Sequence, residues 1–471
     1  MRTGRLLTAL LLCVASMAFG QESWLGVYLQ GQKVGYSSYK ATPDTLEGAA
    51  VTRTESLTVF ASKMLGSALD LRIVSTSWLD AKGRPVQMRF VTTSSGRTQT
   101  VDAKFGPQSI AVAIDNSGNR STKTLPIPPG AEIVDDATAA FLAGDRPAVG
   151  TKRTFYVLDP TTVSLIKNEA VYRGPARVKV RSNQVEAIQV DLIDPRASTK
   201  LFVSDKGDVV KIEGPLGLEM YPETKEVAMA EAPADGPRPD LAFATAIPTE
   251  PPLGDPNRIT KLDLEIAGID LGRMPSDRHQ TVRRTGDVWQ VKIHPVIGNP
   301  KTSKTIDAAA KDQPNWIKPS MHMPSDKTVF KKLAATLIGK EKNTLRAARK
   351  IKEHVESIMR PNAGIGVLRD AQEVLKTKEG VCRDYAILTG TLLRAARIPT
   401  RLVSGLVSQD GKFYYHAWVE VYTGAQWVGL DSTRPANDLT ATHIKLAEGS
   451  VEEAFQFFVL DGAKIRVLGS S

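Results

Sequence analysis

The chain has 471 residues, 42% hydrophobic, 24% charged and 6% aromatic, which fits a soluble multi-domain globular protein and excludes wholesale disorder, collagen-like repeats and a multi-span membrane protein. Lys and Arg outnumber Asp and Glu by 61 to 51, a charge of +10 that permits association with anionic cell-envelope surfaces without naming a partner. Two cysteines allow at most one disulfide.

Arg2 and Arg5 precede an uncharged stretch over 6–19, and Ala18-Phe19-Gly20 forms a small-x-small site before Gln21. This is the layout of a secretory signal peptide over 1–20, and it predicts export to the periplasm or beyond. Fourteen uncharged residues fall short of the ~20 that span a bilayer as a helix. Cleavage after Gly20 removes Cys13, lowers the charge to +8 and leaves Cys382 as the single thiol. In an oxidising compartment such a thiol is a liability unless it is buried or used.

Residues 21–230 read as β. Short apolar–polar alternations, such as Ala176 to Val180, are separated by turn signals at Lys82-Gly83, Asn116 to Asn119 and Asp205 to Asp208. The spacing predicts an antiparallel sandwich or open barrel, with one short helix over 136–143. Seven of the 28 prolines fall within 231–256, which reads as an extended linker. A small β module over 257–318 follows, either separate or an extension of the first region.

From 319 to 471 the period is helical at first. Asp326 is placed to cap a helix over 327–338. A second helix over 344–359 has Leu345, Ala348, Ile351, Val355 and Ile358 on one face, and Arg346, Arg349, Lys350 and Lys352 on a face that reads as solvated. Nucleic-acid binding is disfavoured, since no basic stretch is interleaved with stacking aromatics. A third helix covers 370–376, and Lys378-Glu379-Gly380 breaks the pattern just before Cys382.

Cys382 opens a segment that is apolar almost all round from Tyr385 to Ala396, the mark of a helix buried in the middle of a domain. A cysteine at a helix start sits where partial positive charge favours thiolate, although a small buried core cysteine fits this stretch equally well. Downstream, the strand-like runs 416–422 and 425–433 flank Thr423-Gly424. A two-residue turn there would set His416 directly opposite Asp431. A four-residue turn would shift Asp431 by two and keep it on the same face; a three-residue turn would flip it. A thiol nucleophile needs a base, and the base needs a partner that fixes its tautomer.

Together these segments resemble the transglutaminase-like superfamily in its broad bacterial branch, whose fold is similar to that of papain-like cysteine proteases. The resemblance rests on Gly380/Cys382, on Arg394/Ile398/Pro399/Arg401, on His416/Ala417/Trp418/Glu420/Val421, and on Trp427/Asp431/Thr433. It covers about 150 residues from Asp326 onward; the β region beginning Trp24-Leu25-Gly26-Val27-Tyr28 is more weakly similar to exported bacterial proteins of this kind. The resemblance implies an α+β protein with a papain-like C-terminal domain, Cys382 as nucleophile, His416 as general base and acid, and Asp431 as its orienter. It implies a peptide or protein substrate and cysteine-dependent acyl transfer on an amide bond. Hydrolysis is favoured over transfer to an amine, and a non-catalytic module that keeps the fold is the alternative from another class.

One departure stands out: the family usually has glycine before the Ile-Pro, where this chain has Arg397. No cofactor is expected. Calcium motifs of the animal crosslinking enzymes are not visible, and His279, His294, His322, His354 and His443 are scattered without metal-ligand spacing, which predicts no zinc site. Trp418 and Trp427 read as core aromatics.

Overall fold

The computed structural model describes residues 22–135, 146–194, 198–230, 239–269, 271–272, 274–436, 438–455, 460 and 462–471. The expected signal segment, the expected helix over 136–143 and part of the proline-rich stretch lie outside them. The chain divides into two compact units, the first on residues up to 244 with 363–368, the second on 245–362 and most of the chain from 369 onward.

The first unit is an antiparallel sheet of fourteen strands. It runs as a meander of eight strands from Glu22–Leu29 to Asn119–Pro126, and a second meander from Lys152–Asp159 to Leu218–Pro222; the two join where Glu22–Leu29 pairs with Leu218–Pro222. The alternation that specifies these strands is clear in Ser67–Leu79, where Leu69, Leu71 and Ile73 point into the core while Asp70 and Arg72 are exposed. The turn signals fall where the chain reverses, and the backbone takes positive φ at Ser117 and Gly118.

The second unit joins its helices to a nine-stranded sheet. Across the sheet the order is Gln280–Thr285, Val288–Ile293, Leu262–Ala267, Lys464–Ser470, Ile247–Glu250, Lys412–Tyr422, Thr400–Gln409 and His443–Gly449, with Trp427–Leu430 pairing Lys412–Tyr422. The helix Cys382–Ala395 packs on Lys412–Tyr422 and Thr400–Gln409 and is surrounded by Thr328–Ile338, Thr344–Ile358 and Ala371–Thr377. Every residue from Arg383 to Arg394 is buried, as the lack of a polar face required.

Several expectations need correction. With 49% strand and 18% helix among the described residues, the fold is more β than α+β, because the described part of the first unit is almost wholly sheet and the second completes its own sheet with strands from both its ends. Residues 247–250, expected within a linker, form a strand: Ile247 and Thr249 point inward while Pro248 and Glu250 point out, a period-two pattern that the proline count obscured. The strands of 262–293 share the second unit's sheet through Lys464–Ser470. Asp326 does not cap: the helix Thr328–Ile338 starts after Lys327 with no side-chain cap. Asn343 and Asp370 do cap Thr344–Ile358 and Ala371–Thr377.

Arg397, the departure from the family pattern, takes φ +63 with its side chain exposed. The helix thus ends through a left-handed residue of the kind glycine favours, and arginine bears the Cβ penalty. Arg397→Gly is expected to stabilise the fold by about 1 kcal/mol, read as a higher urea midpoint at unchanged m-value.

Candidate active site

Cys382 is the first residue of its helix, and the turn that delivers it is locked from beneath. Asp384 accepts a hydrogen bond from the Val381 N–H at 2.9 Å and pairs with Arg369 at 3.1 Å, both side chains fully buried. Arg369 also donates to the Glu379 carbonyl at 2.6 Å and to Thr377 Oγ1 at 3.1 Å. A Cβ on Gly380 would lie 2.5 Å from Asp384 Oδ2 and 2.6 Å from Arg369 Nη2. Glycine is therefore required two residues before the thiol because the buried ion pair occupies that space.

His416 comes from Lys412–Tyr422, and Asp431 follows Trp427–Leu430. The observed register pairs Tyr422 with Trp427 and Val419 with Leu430. The turn is therefore the four-residue Thr423 to Gln426, with the Thr423 N–H donating to the Gln426 carbonyl at 2.9 Å. Direct opposition of His416 and Asp431 does not occur. They stay on one face, and Asp431 Oδ2 lies 2.7 Å from His416 Nε2. Thr433 holds the other carboxylate oxygen through its N–H at 2.9 Å and its hydroxyl at 2.7 Å. Thr389 and Ser432, hydroxyl to hydroxyl at 2.7 Å, tie the thiol-bearing helix to the loop after Asp431.

The basic face of Thr344–Ile358, expected to be solvated, turns out to be partly internal. Lys352 is fully buried, bonded to Glu356 at 2.6 Å and to the Arg434 carbonyl, and Arg349 donates to Asp438 at 3.0 Å. Only Arg346 and Lys350 of that face are solvated. Residues that read as a basic surface instead anchor the loop that carries Thr433.

Cys382 lies near enough to His416 for its thiol to act on the ring. Burial works against a charged His416 ring, but the Asp431 carboxylate and the thiol outweigh it and hold the imidazole up to about 10. Burial likewise opposes the Asp431 charge, and the His416 ring overcomes that, holding the carboxyl well below its ordinary range. The structure thus brings Cys382, His416 and Asp431 together.

It also brings in a residue that sequence reasoning set aside. His443, 1% exposed, places Nε2 3.5 Å from Asp431 Oδ2. Burial pushes its ring down to about 4, only partly offset by Asp431, so it is neutral at neutral pH. His443 arrives through pairing of His443–Gly449 with Thr400–Gln409, Val407 opposite His443, and no local spacing could have announced it. Trp418 lies beside both imidazoles, its ring 6.2 Å from His416 and 5.4 Å from His443. It is buried with Val403 and Leu439, a core aromatic.

Residues 331–432 match the transglutaminase-like superfamily, and residues 25–214 match a family described as a protein of unknown function, DUF3108. The C-terminal core is transglutaminase-like. Over 92 residues the chain is 33% identical to an uncharacterized protein of Mycobacterium leprae, covering 18% of this chain and 32% of that protein. Over 80 residues it is 39% identical to an uncharacterized protein of Mycobacterium bovis, covering 14% and 24%. The chain thus spans about a third or less of the curated relatives it matches. Among solved structures it is similar to a candidate cysteine protease from Cytophaga hutchinsonii, at 20% identity and TM-score 0.32 over 44% of this chain and 82% of that one. It is also similar to a beta-barrel-like protein of the domain of unknown function DUF1849 from Brucella abortus, at 14% and 0.31 over 43% and 94%.

The remaining motif residues of the transglutaminase-like core are structural. Arg394 closes its helix by donating to the Thr400 carbonyl at 2.8 Å and the Lys318 carbonyl at 3.0 Å. Arg401 pairs with Glu420 and Glu448, each at 2.6 Å, and lies 4.4 Å over the Trp427 ring. Asp277, Glu420 and Glu448 cluster closely enough to hold a cation, and the fully buried Lys445 ammonium occupies that role, 2.6, 2.6 and 2.8 Å from them.

Proposed function

We propose that this chain is an exported thiol enzyme that transfers the acyl group of an amide or peptide bond through a Cys382 thioester, with water as the usual acceptor. The observation that carries this reading is the pair beside the thiol: the imidazole of His416, on which the Cys382 thiol at its helix start acts, meets the buried Asp431 carboxylate through Nε2 at 2.7 Å. His416 takes the thiol proton, Sγ bonds to the carbonyl carbon, and the C–N bond breaks as His416 hands the proton to the leaving amine. Water then attacks the thioester, giving up its proton to His416, and the thiol is restored. The backbone N–H of Cys382, at the helix start, is the candidate oxyanion donor. Hydrolysis is preferred because an amine acceptor is mostly protonated at neutral pH, and needs a water-excluding groove to compete.

Native protein treated with iodoacetamide near neutral pH is expected to gain one adduct, at Cys382, by intact mass. His416→Ala should slow this by about 10-fold or more, because the thiol loses the base that takes its proton. Reaction only after denaturation would overturn the reading and leave a non-catalytic module. A peptide library offered with a labelled primary amine then separates the acceptors. New carboxyl termini support hydrolysis; faster label incorporation makes the chain an amine-accepting transglutaminase.

A further inference from the structure

We propose that His416, Asp431 and His443 form a binding site for a divalent transition-metal ion, zinc above all, whose occupancy competes with the proton on which the relay depends. Binding rests on side-chain geometry alone; only the consequence for turnover rests on the catalytic reading above.

The three ligating atoms, Nε2 of each imidazole and Oδ2 of the carboxylate, converge within 4.8 Å of one another. The Asp431–His443 separation of 3.5 Å already matches the ~3.3 Å edge of a tetrahedral site with bonds of about 2.0–2.1 Å. The His416–Asp431 separation of 2.7 Å is that of a hydrogen bond and must open by roughly 0.6 Å to reach this edge. His443 is the second, independent observation. Its Nε2 is sealed from solvent, aimed at Asp431, and without a hydrogen-bond partner of normal length, an arrangement costly to keep for no purpose.

The hydrogen bonds around His443 suit a metal ligand, although the Arg434 guanidinium lies 3.7 Å from Asp431 Oδ2 and must give way to a cation there. Its Nδ1 lies 3.3 Å from the Thr440 carbonyl, which can accept the Nδ1–H and turn the Nε2 lone pair toward Asp431, the usual arrangement behind a metal-bound imidazole. His279 Nε2–H donates to the His443 carbonyl at 2.8 Å, fixing the backbone. Thr433 orients Asp431 through the oxygen that does not face the imidazoles. By contrast the acidic cluster of Asp277, Glu420 and Glu448 is already neutralised by Lys445 and Arg401, so it takes no ion.

On binding, the metal forms bonds to the two Nε2 atoms and Oδ2, and the Nε2 proton of His416 leaves to solvent; nothing is oxidised or reduced. His416 is then held from its far side, and Asp431 can no longer stabilise it as imidazolium.

The test titrates Zn2+ alone into the full-length mature chain against a chromophoric chelator. One ion per chain should bind at micromolar concentration; His443→Gln should weaken binding at least tenfold, and Cys382→Ser should leave it unchanged. Co2+ in the wild-type protein should give the visible bands of a tetrahedral N/O site with no thiolate-to-cobalt band. Absence of binding below millimolar Zn2+, equal affinity in His443→Gln, loss in Cys382→Ser, or a thiolate band would each overturn the proposal. If circular dichroism shows that His443→Gln does not fold, the wild-type Co2+ spectrum and the affinity of Asp431→Asn decide instead: an unchanged affinity refutes the site. A chain that binds zinc but does not alkylate at Cys382 would sink the enzymatic reading and leave the metal site standing.

Discussion

Asp431→Asn is expected to lower turnover by about 10^4-fold while leaving the chain folded. The amide can still accept from Thr433 through its oxygen, replacing bonds of 2.9 and 2.7 Å. Its NH2 group would face His416 Nε2, which must then become an acceptor. The ring proton moves to the nitrogen facing Cys382, so the base can no longer take the thiol proton. The same change removes the charge that holds His416 up to about 10. In the wild type, stability from the charged ring is complete below its ordinary value near 6.5 and is lost as pH rises through about 10. The variant should therefore lose the alkaline limb of its activity at lower pH, and its stability should stop depending on pH in that window. Turnover against pH and urea midpoints between pH 6 and 11 check both; an unchanged rate would remove Asp431 from the mechanism.

Lys445→Met is expected to destabilise the second unit by about 3–5 kcal/mol. The ammonium is fully buried among three carboxylates at 2.6 to 2.8 Å, and its removal leaves them to Arg401 alone. Burial disfavours the lysine's charge, but Glu420, Glu448 and Asp277 more than compensate and hold its proton on. Burial opposes the Asp277 charge, and Lys445 helps hold that carboxyl below its ordinary range; without the lysine Asp277 takes up a proton more readily, so the deficit should narrow at acid pH. Urea midpoints at pH 7 and pH 4 are the measurement. A loss below about 1 kcal/mol at pH 7 would place the cluster among weak, solvent-screened ion pairs.

What the sequence disclosed followed from short-range periodicity. The all-apolar segment after Cys382 specified a buried helix, and His416 and Asp431 shared a face despite a register two residues from direct opposition, because strand parity survives a shift of two. What it concealed depends on long-range pairing. His443 reaches Asp431 only when His443–Gly449 lies along Thr400–Gln409, and Lys445 meets Asp277 across 168 positions. Lys352 and Lys445 were illegible for a second reason: a charged side chain is read as solvated until its partners are known, and the partners that bury these two include the distant Arg434 carbonyl and the distant Asp277 and Glu420 carboxylates. At Ile247–Glu250 the proline density spoke for a linker while the inward Ile247 and Thr249 made a strand.

The position of Lys464–Ser470 sets a timetable for biogenesis. This segment is an interior strand, flanked by Ile247–Glu250 on one side and Leu262–Ala267 on the other, two stretches synthesised some two hundred residues earlier. Until it is delivered, both neighbours are open edges and the sheet beneath the thiol is in two pieces. A chain in which this segment has not yet docked therefore carries Cys382, His416 and Asp431 on an incomplete sheet. Completion of the second unit's sheet thus waits on pairing between segments some two hundred residues apart.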